Sequence, residues 1–290
     1  MLFDEPLDRH TSMGVGGPAD ALVFPQSREE LAGLIRLLQK ENVPFLTLGN
    51  GTNLIVRDGG CRGAVVALQG LKKLSLVVQP EGKVLIRVEA GVPLAAIVHL
   101  SIKESLTGME FCAGIPGSVG GAVRMNAGAF GMEMKDVVTE ITILNENQEL
   151  ETLSRQELSF EYRRLDLSGK AVIVSAEFAL SPGKRESISG KVSEIMALRK
   201  RKHPLNLHNA GSIFKNPRHV PAGQLIEEVG LKGTRRGDAM ISEQHGNFIV
   251  NLGKARSADV LDLIEEIRGR VRDCRDIHLE AEVHIVGEDG

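Results

Sequence analysis

The stretch that decides the fold reads Gly108-Met-Glu-Phe-Cys-Ala-Gly-Ile-Pro-Gly-Ser-Val-Gly-Gly-Ala-Val-Arg-Met-Asn-Ala-Gly128. Six glycines and one proline interrupt a run that is otherwise mostly apolar. A backbone without Cβ atoms approaches a ligand closely and turns its N–H groups towards it, which suits phosphate oxygens. A helix that starts at Val119 would add its positive dipole end to such a site. A tight loop between packed elements is the alternative interpretation of this stretch taken alone.

A second glycine-bearing loop, Gly49-Asn-Gly-Thr-Asn-Leu54, follows the strand-like run Pro44-Phe-Leu-Thr-Leu48. It is similar to the start of a dinucleotide fingerprint, but it lacks the third glycine. The residues after it predict strand, turn and strand instead of the helix that the Rossmann geometry requires, so that fold is excluded. Two glycine loops, each beside a strand, predict one extended phosphate-bearing cofactor held by two small α/β lobes.

Composition and charge narrow the function further. The 290 residues allow two or three domains, and the net charge of −3 gives no electrostatic footprint for nucleic acid. The three cysteines form no C-x-x-C pair, which argues against disulfides and structural zinc. The eight histidines show no ligand spacing, so we predict no metal site. The acidic N-terminus is unlike a signal peptide, and no apolar run reaches the ~18 residues of a membrane span. We expect a cytoplasmic protein without nucleic-acid or membrane partners.

Hydrophobic periodicity predicts helices and strands in alternation. Helices are predicted after the capping box Ser27-Arg-Glu-Glu30 and over residues 93–105, 184–202, 222–229 and 257–274. Strands are predicted over residues 21–24, 44–48, 54–56, 63–68, 83–89, 136–144, 149–153, 171–180, 240–242, 247–251 and 278–286.

Ser212 is a candidate catalytic residue outside the glycine loops. It lies in Asn209-Ala-Gly-Ser-Ile-Phe-Lys-Asn-Pro217, which has no G-x-S-x-G elbow, so a hydrolase nucleophile is not indicated. One interpretation is a turn hydroxyl that bonds its own backbone. The other is proton donation to a strongly basic carbanion within hydrogen-bond reach.

Three charged stretches are further candidates. Phe160-Glu-Tyr-Arg-Arg164 carries two guanidinium groups beside the only tyrosine, and solvated surface charge is the alternative to a binding role. Leu279-Glu-Ala-Glu-Val283 predicts a strand with both glutamates on one face, which is either exposed or holds a carboxyl group that acts as an acid. Arg199-Lys-Arg-Lys202 would suit an anionic substrate, although a helix end favours cations in any case.

Taken together, these stretches resemble the UDP-N-acetylenolpyruvoylglucosamine reductases, flavoenzymes of bacterial cell-wall precursor synthesis. The resemblance runs from Thr11 to the C-terminus. It is carried by Gly49-Asn-Gly-Thr-Asn53, Gly114-Ile-Pro-Gly-Ser-Val-Gly-Gly-Ala122, Asn126-Ala-Gly128, Tyr162-Arg163, Gly211-Ser-Ile-Phe-Lys-Asn-Pro217, Leu225-Ile-Glu227, Gly230-Leu-Lys-Gly233 and His245-Gly-Asn-Phe-Ile-Val-Asn251. The short span between Arg163 and Ala171 resembles the shorter, second type of the family.

The resemblance implies an α+β fold. It implies a two-lobed FAD-binding domain of the vanillyl-alcohol oxidase type, with lobes at residues 1–70 and 71–200, followed by a smaller α/β substrate-binding domain at residues 201–290. The residues that it implies for FAD contact are Gly49, Asn50, Gly51, Thr52, Asn53, Leu54, Gly114, Ile115, Pro116, Gly117, Ser118, Gly120, Gly121, Asn126 and Gly128. We expect the FAD to be bound non-covalently, with Cys112 as a small core residue.

The resemblance also implies a reaction. NADPH reduces the flavin and leaves, UDP-N-acetylglucosamine enolpyruvate takes its place, hydride from flavin N5 reaches C3, and C2 is protonated. Ser212 would donate that proton, while Arg163 and Glu282 would stabilise the enolate-like intermediate, with Glu280 as the alternative glutamate. The implied contacts to the UDP-sugar are Lys202, Asn216 and Asn247.

Alternatives remain at this point. The runner-up enzyme is a flavoprotein of the same fold, an oxidase or dehydrogenase that acts on another small molecule. A nucleotide-binding regulatory module is the non-enzymatic alternative. We expect a monomer.

Overall fold

The computed structural model describes residues 1–79 and 83–290, which contain both helices and strands. The helices are α1 (Arg28–Lys40), α2 (Leu94–Lys103), α3 (Val119–Arg124), α4 (Arg185–Lys202), α5 (Ala222–Glu228) and α6 (Ser257–Arg275). The strands are β1 (Leu2–Pro6), β2 (Pro18–Val23), β3 (Phe45–Leu48), β4 (Leu54–Val56), β5 (Cys61–Ala67), β6 (Leu74–Val78), β7 (Val84–Glu89), β8 (Leu106–Thr107), β9 (Gly128–Ala129), β10 (Met132–Glu133), β11 (Val138–Leu144), β12 (Leu150–Ser154), β13 (Ser159–Glu161), β14 (Arg164–Asp166), β15 (Val172–Pro182), β16 (His208–Asn209), β17 (Arg235–Arg236), β18 (Ala239–Ile241), β19 (Ile249–Asn251) and β20 (His284–Val286).

The predicted helices are all present, and α3 begins at Val119 as expected. Helix α1 shows why the pattern was readable. The Ser27 hydroxyl oxygen accepts the Glu30 N–H at 3.1 Å, which caps the first turn. The Glu30 carboxylate accepts the N–H of Gln26, at 2.8 Å, so the capping box reaches back one residue further than predicted. Among residues 1–79 and 83–290, no helix combines the length and apolar character that crossing a membrane requires.

The chain divides into two compact units. The terminal unit comprises Met1–Leu22, Gly51–Val65 and Arg199–Gly290, and the central unit comprises Val23–Asn50 and Val66–Leu198. The boundary between Leu198 and Arg199 lies close to the predicted start of a third domain at residue 201. The predicted division into three domains stays a prediction.

The central unit is built on an antiparallel sheet in the order β12-β11-β15-β7-β6. Its longest strand, β15, lies between β11 and β7 and also pairs with β8. Apolar side chains from this sheet, from α2 and from α3 form one core that includes the fully buried Phe111 and Phe178. Burial of each such side chain contributes about 1.5–3 kcal/mol. Two short hairpins, β9–β10 and β13–β14, also belong to this unit.

The terminal unit contains a second antiparallel sheet in the order β16-β19-β18-β17. Helix α6 packs in the same core through an apolar stripe of Val260, Leu263, Ile264 and Ile267. The Asp58 carboxylate accepts the N–H groups of Ser257 and Ala258 at 2.8 and 3.0 Å, so it caps α6 from a distant part of the chain. Strand β20 pairs in parallel with β4.

The strand predicted over residues 278–286 is too long and is corrected by the structure. Only His284–Val286 form a strand, and Ala281 makes a single antiparallel bridge with Phe214. Leu279 and Val283 are buried and Glu280 is exposed, as the predicted alternation requires, but Ala281 and Glu282 are both half-buried. The segment around Phe214, which lies opposite Ala281 in the same chain, is itself irregular, and therefore no continuous ladder forms.

Candidate active site

Ser212 and Glu282 lie on neighbouring segments of the terminal unit. The Ser212 segment, residues 211–215, and the Glu282 segment, residues 280–283, are joined by an antiparallel bridge. The N–H of Glu282 donates to the carbonyl of Ile213 at 2.8 Å. Both predicted catalytic residues are half-buried. The structure therefore brings together a hydroxyl and a carboxyl group on adjacent backbones.

Asn247 holds the Ser212 segment by its backbone. Its amide oxygen accepts the Phe214 N–H at 2.9 Å, its Nδ2 donates to the Phe214 carbonyl at 2.8 Å, and its own carbonyl accepts the Ile213 N–H at 2.9 Å. The residue is only 2% exposed. These polar atoms are used inside the protein, so Asn247 supports the Ser212 segment, and its contact with the UDP-sugar stays a prediction.

Asn53 links the second glycine loop to the Glu282 segment. Its Nδ2 donates to the Glu282 carbonyl at 3.0 Å, and its own carbonyl accepts the His284 N–H at 3.0 Å. These contacts lie within the terminal unit. The loop that was predicted to bind the cofactor thus also fixes the backbone on both sides of Val283.

The two glutamates of the C-terminal motif differ in their surroundings. Glu280 pairs with Lys215, with Nζ and Oε1 2.5 Å apart, and its side chain is 73% exposed. Glu282 is half-buried and lies on the segment that pairs with Ile213. This difference favours Glu282 over Glu280 as the functional carboxyl group.

Arg163 is the second residue of a two-residue turn between β13 and β14, in the central unit. Its φ of 60° is in the left-handed region, which costs a non-glycine residue roughly 1–2 kcal/mol. The side chain of Arg163 is 19% exposed, whereas that of Arg164 is 60% exposed and pairs with Asp166 at 2.7 Å. Arg163 Cζ lies 4.8 Å from the centroid of the Tyr162 ring. Backbone strain at a half-shielded cation is typical of a functional position.

Asn126, predicted as a cofactor contact, is fully buried in the central unit. Its Nδ2 donates to the Glu133 carboxylate at 3.0 Å and to the Glu161 carbonyl at 2.9 Å, and its Oδ1 accepts the Lys135 N–H at 3.0 Å. Both amide hydrogens and the oxygen are therefore used within the protein. The Asn126 side chain thus supports the β13–β14 hairpin, and its contact with the cofactor stays a prediction.

The two glycine loops meet at Gly49 and Ser118. A Cβ added to Gly49 would lie 2.6 Å from the Ser118 hydroxyl oxygen, so only glycine permits this approach. Gln69 donates from Nε2 to the Gly49 carbonyl at 2.6 Å. Among the described residues, the buried Oε1 of Gln69 has no hydrogen-bond partner. The loops thus form a narrow backbone cradle with one buried acceptor still to be satisfied.

The first N–H groups of helix α3 bond backbone carbonyls just before α2. The N–H of Val119 donates to the Val92 carbonyl and that of Gly120 to the Ala90 carbonyl, both at 2.9 Å. A Cβ on Gly120 would lie 2.7 Å from the Ala90 Cβ, so this glycine serves packing. The first two amides of the helix are therefore already bonded, and its dipole contribution to a phosphate site stays a prediction.

The cradle fits FAD. Close backbone approach at Gly49 suits a pyrophosphate, and the unpartnered Gln69 oxygen suits a donor group of a bound cofactor. Within the central unit, the residues that would hold it are Gly49, Asn50 and residues 114–121. Groups of three or more metal-ligating side chains are absent from the described ranges, 1–79 and 83–290.

The remaining predicted substrate residues are exposed. Lys202 is the last residue of α4, and the amide of Gln244 donates to the carbonyls of Lys200 and Arg201 at 3.3 and 2.8 Å, which satisfies that helix end. Asn216 accepts the Ala222 N–H at 3.0 Å, so its Oδ1 caps α5. Both side chains belong to the terminal unit.

Three rings form an aromatic cluster, and two of them, His245 and Phe248, lie close to Asn247 in sequence. The His203 ring stacks on Phe248 with centroids 5.0 Å apart, and His245 meets Phe248 edge-on at 4.9 Å. Burial, aided by the charges of Arg199, His245 and Lys202, lowers the pKa of His203 to about 4. Burial also lowers the pKa of His245. Both rings are therefore neutral at pH 7.

Sequence reasoning missed Gln69 and Glu133. Gln69 sits in a single 3₁₀ turn after β5, and nothing in its neighbours predicts that its amide holds Gly49. Glu133 accepts a hydrogen bond from Asn126 and lies beside Arg163. A single acidic residue seven positions after Asn126 carries no signal of that contact.

Comparison with known proteins supports the same interpretation. Residues 19–154 match the profile of an FAD binding domain, and residues 203–286 match that of the UDP-N-acetylenolpyruvoylglucosamine reductase C-terminal domain. The chain is 80% identical over 290 residues to the UDP-N-acetylenolpyruvoylglucosamine reductase of Syntrophus aciditrophicus (strain SB), covering 100% of this chain and 93% of that relative. It is 46% identical over 289 residues to the enzyme of that name from Caldanaerobacter subterraneus subsp. tengcongensis, covering 99% of this chain and 94% of that relative.

A solved structure agrees with these relatives. The UDP-N-acetylenolpyruvylglucosamine reductase from Thermus caldophilus superimposes with a TM-score of 0.83 at 36% identity, covering 97% of each chain. The α+β fold with an FAD-binding domain and a following C-terminal domain is confirmed. The chain belongs to the UDP-N-acetylenolpyruvoylglucosamine reductase family, FAD-dependent oxidoreductases of peptidoglycan precursor synthesis.

Proposed function

We propose that this chain reduces UDP-N-acetylglucosamine enolpyruvate to UDP-N-acetylmuramate with NADPH as the reductant and Ser212 as the proton donor. The observation that carries the proposal is the pairing of the Ser212 segment with the Glu282 segment. The 2.8 Å hydrogen bond from Glu282 N–H to the Ile213 carbonyl supports it, because it keeps a hydroxyl and a carboxyl group on adjacent backbones.

Reduction of an enol ether double bond needs a hydride at one carbon and a proton at the other. When bound, FAD would supply the hydride for C3 of the enolpyruvyl group from its N5, with NADPH as the reductant. Ser212 gives its hydroxyl proton to C2, where negative charge develops. A hydroxyl is a weak acid in water, but it can protonate a strongly basic carbon that is held within hydrogen-bond reach.

Arg163 and Glu282 would lower the energy of that charge. A guanidinium presents two parallel N–H donors to a carboxylate, so Arg163 would bind the enolpyruvyl carboxylate and stabilise the enolate-like intermediate. Glu282 would assist at the same carboxylate as a hydrogen-bonding partner. Lys202 and Asn216 would contact the UDP-sugar, since both are exposed in the terminal unit.

We propose non-covalent binding of FAD. Cys112, the cysteine nearest to the glycine loops, is 1% exposed within the core of the central unit, which supports a packing role. Acid precipitation of the purified yellow protein is expected to leave the flavin in solution. Colour that stays with the precipitate would contradict this proposal.

The test of Ser212 separates the two half-reactions by stopped-flow absorbance. In Ser212→Ala, flavin reduction by NADPH should keep its rate, whereas reoxidation by the enolpyruvyl substrate should slow on the order of 10²–10⁴-fold. Ser212→Cys should restore part of that rate, because a thiol donates from nearly the same position. Reoxidation of the alanine variant at the wild-type rate under saturating substrate would remove Ser212 from the mechanism.

A further inference from the structure

The Glu133 carboxylate lies beside the turn that carries Arg163, at the end of the β9–β10 hairpin in the central unit. Its Oε1 is 4.0 Å from Arg163 Nη1, and both side chains are about one-fifth exposed, at 20% and 19%. At this distance the contact is one of charge, beyond the 2.7–3.2 Å of an N–H···O hydrogen bond. Such a contact attracts the guanidinium towards Glu133 by charge, without a hydrogen bond between Arg163 Nη1 and Glu133 Oε1.

The carboxylate itself is fixed by neighbours on its own hairpin. Lys135 Nζ lies 2.6 Å from Glu133 Oε2, and this hydrogen bond and charge raise the pKa of Lys135. The side chain of Glu133 also accepts the N–H of Asp136. Asn126 Nδ2 donates to the same Oε2 at 3.0 Å. A carboxylate with so many donors has little freedom to turn.

Asn126 connects this carboxylate to the backbone of the arginine turn. The same Nδ2 that bonds Glu133 also donates to the carbonyl of Glu161, at 2.9 Å. Glu161 pairs with Arg164 across the β13–β14 hairpin and directly precedes the turn. The side-chain amide of Asn126 therefore bonds both the backbone that precedes the turn and the carboxylate that faces the Arg163 side chain.

We propose that Glu133 is a positioning residue for Arg163, which sets the direction of the guanidinium so that it meets the enolpyruvyl carboxylate. This inference rests on the proposed role of Arg163. The left-handed backbone at Arg163 restricts where the side chain can start, and the Glu133 charge restricts where it ends. A purely structural Glu133 would instead affect folding and leave recognition of the carboxylate unchanged.

The experiment measures recognition of the carboxylate directly. Isothermal calorimetry on the FAD-loaded protein compares UDP-N-acetylglucosamine enolpyruvate with UDP-N-acetylglucosamine, which has no carboxylate. In Glu133→Gln, affinity for the enolpyruvyl ligand should fall roughly tenfold, while affinity for UDP-N-acetylglucosamine stays within twofold. Glu133→Asp keeps the charge on a shorter stem, and its loss should lie between those of the wild type and Glu133→Gln.

Asp166→Asn is the matched control. It makes the same carboxyl-to-amide change opposite the neighbouring Arg164, whose exposed pair with Asp166 has no assigned part in binding. Its affinities for both ligands should equal those of the wild type. Equal effects of Glu133→Gln and Asp166→Asn would overturn the inference, as would equal losses of both ligands in Glu133→Gln. If Glu133→Gln fails to fold, wild-type discrimination in Glu133→Asp, whose shorter stem moves the carboxylate away from Arg163, would overturn it.

A double-mutant cycle separates failure of this inference from failure of the proposed function. In an Arg163→Lys background, Glu133→Gln should cause no further loss of affinity for the enolpyruvyl ligand, because the oriented group is already gone. Additive losses would overturn the positioning role and leave the role of Arg163 intact. Unchanged discrimination between the two ligands in Arg163→Lys alone would instead contradict the proposed role of Arg163.

Discussion

The Ser212 segment and the Arg163 turn show two ways of holding a functional side chain. The Ser212 segment is held by backbone pairing with residues 280–283 and by the neutral, buried amide of Asn247. The Arg163 turn has a strained backbone, is bonded by the buried amide of Asn126 and, in addition, faces the Glu133 carboxylate close to solvent. A proton donor needs a fixed position, whereas an anion-binding guanidinium needs both direction and countercharge.

The difference suggests which property each region should lose on mutation. Removal of a neutral buried amide leaves backbone groups unsatisfied, so damage around Ser212 should appear first as lost stability. Removal of a charge near solvent leaves the fold largely intact, so damage around Arg163 should appear as lost recognition and rate. The predictions below follow this contrast.

The largest effect on stability is expected for Asn247→Ala, which removes the amide that bonds the Ser212 segment. The N–H and carbonyl of Phe214 lose their partners in a buried place, and we expect the free energy of unfolding to fall by roughly 3 kcal/mol. Urea unfolding followed by circular dichroism measures it. Asn206→Ala, an exposed change in the same unit, should stay within about 0.5 kcal/mol. A loss below about 1 kcal/mol at Asn247 would break the contrast.

Arg163→Lys tests the Arg163 turn, where we expect a loss of substrate recognition and rate. A lysine keeps the charge but offers no parallel pair of donors, so kcat/KM for the enolpyruvyl substrate should fall roughly 100-fold, or about 2.7 kcal/mol, without loss of stability. Arg164→Lys should remain within about twofold, because Arg164 is 60% exposed and pairs with Asp166. Similar losses at the two arginines in steady-state assays would mean that the strained turn does not single out Arg163.

Acid should affect the Ser212 side through His203, which stacks on the residue after Asn247. The pKa of His203 is lowered to about 4 from its usual 6.5, so the folded state favours the neutral ring. That contribution to stability is complete above pH 6.5 and is lost as pH falls towards 4. Because the ring is only partly buried, we expect a loss of about 1 kcal/mol between pH 7 and pH 5. Urea midpoints at the two pH values should show a smaller difference in His203→Phe, and an equal one would exclude His203 as the cause.

The smallest effect is expected for Glu280→Gln. Its pair with Lys215 has an exposed carboxylate, so stability should change by less than about 0.5 kcal/mol and kcat by less than about twofold. Glu282→Gln, assayed beside it, should be far slower. A reversed order of the two variants would transfer the catalytic carboxyl role to Glu280.

Much of the fold was predictable because its helices carry a strong period. Helices α2, α4 and α6 lie within a residue or two of the predicted ranges, since apolar side chains recur on one face or a proline ends the run. The β13–β14 hairpin was missed because Tyr162-Arg163 contains none of the residues that usually mark a two-residue turn. Its left-handed arginine is sustained by contacts that are distant in sequence.

The candidate site residues were named from motifs, but the motifs did not indicate which of these residues bond the protein's own backbone. Asn126 and Asn247 are in the expected motifs, yet their amides hold backbone that carries Arg163 and Ser212. A motif shows that a position is constrained, and only the geometry shows whether the constraint comes from a ligand or from the protein itself. Gln69 and Glu133 lie outside any recognisable spacing, so the sequence alone had no means of finding them.

The parallel pairing of β4 with β20 has a consequence for synthesis of the chain. Strand β4 emerges from the ribosome well before its partner β20, because the chain between them is made at only about 5–20 residues per second. The central unit has all its strands available before that time. Non-local pairings are slow to form, because a long loop must be closed before any contact rewards it. We therefore expect the β4–β20 pairing, which belongs to the same unit as Ser212, to form only after the strands of the central unit are available.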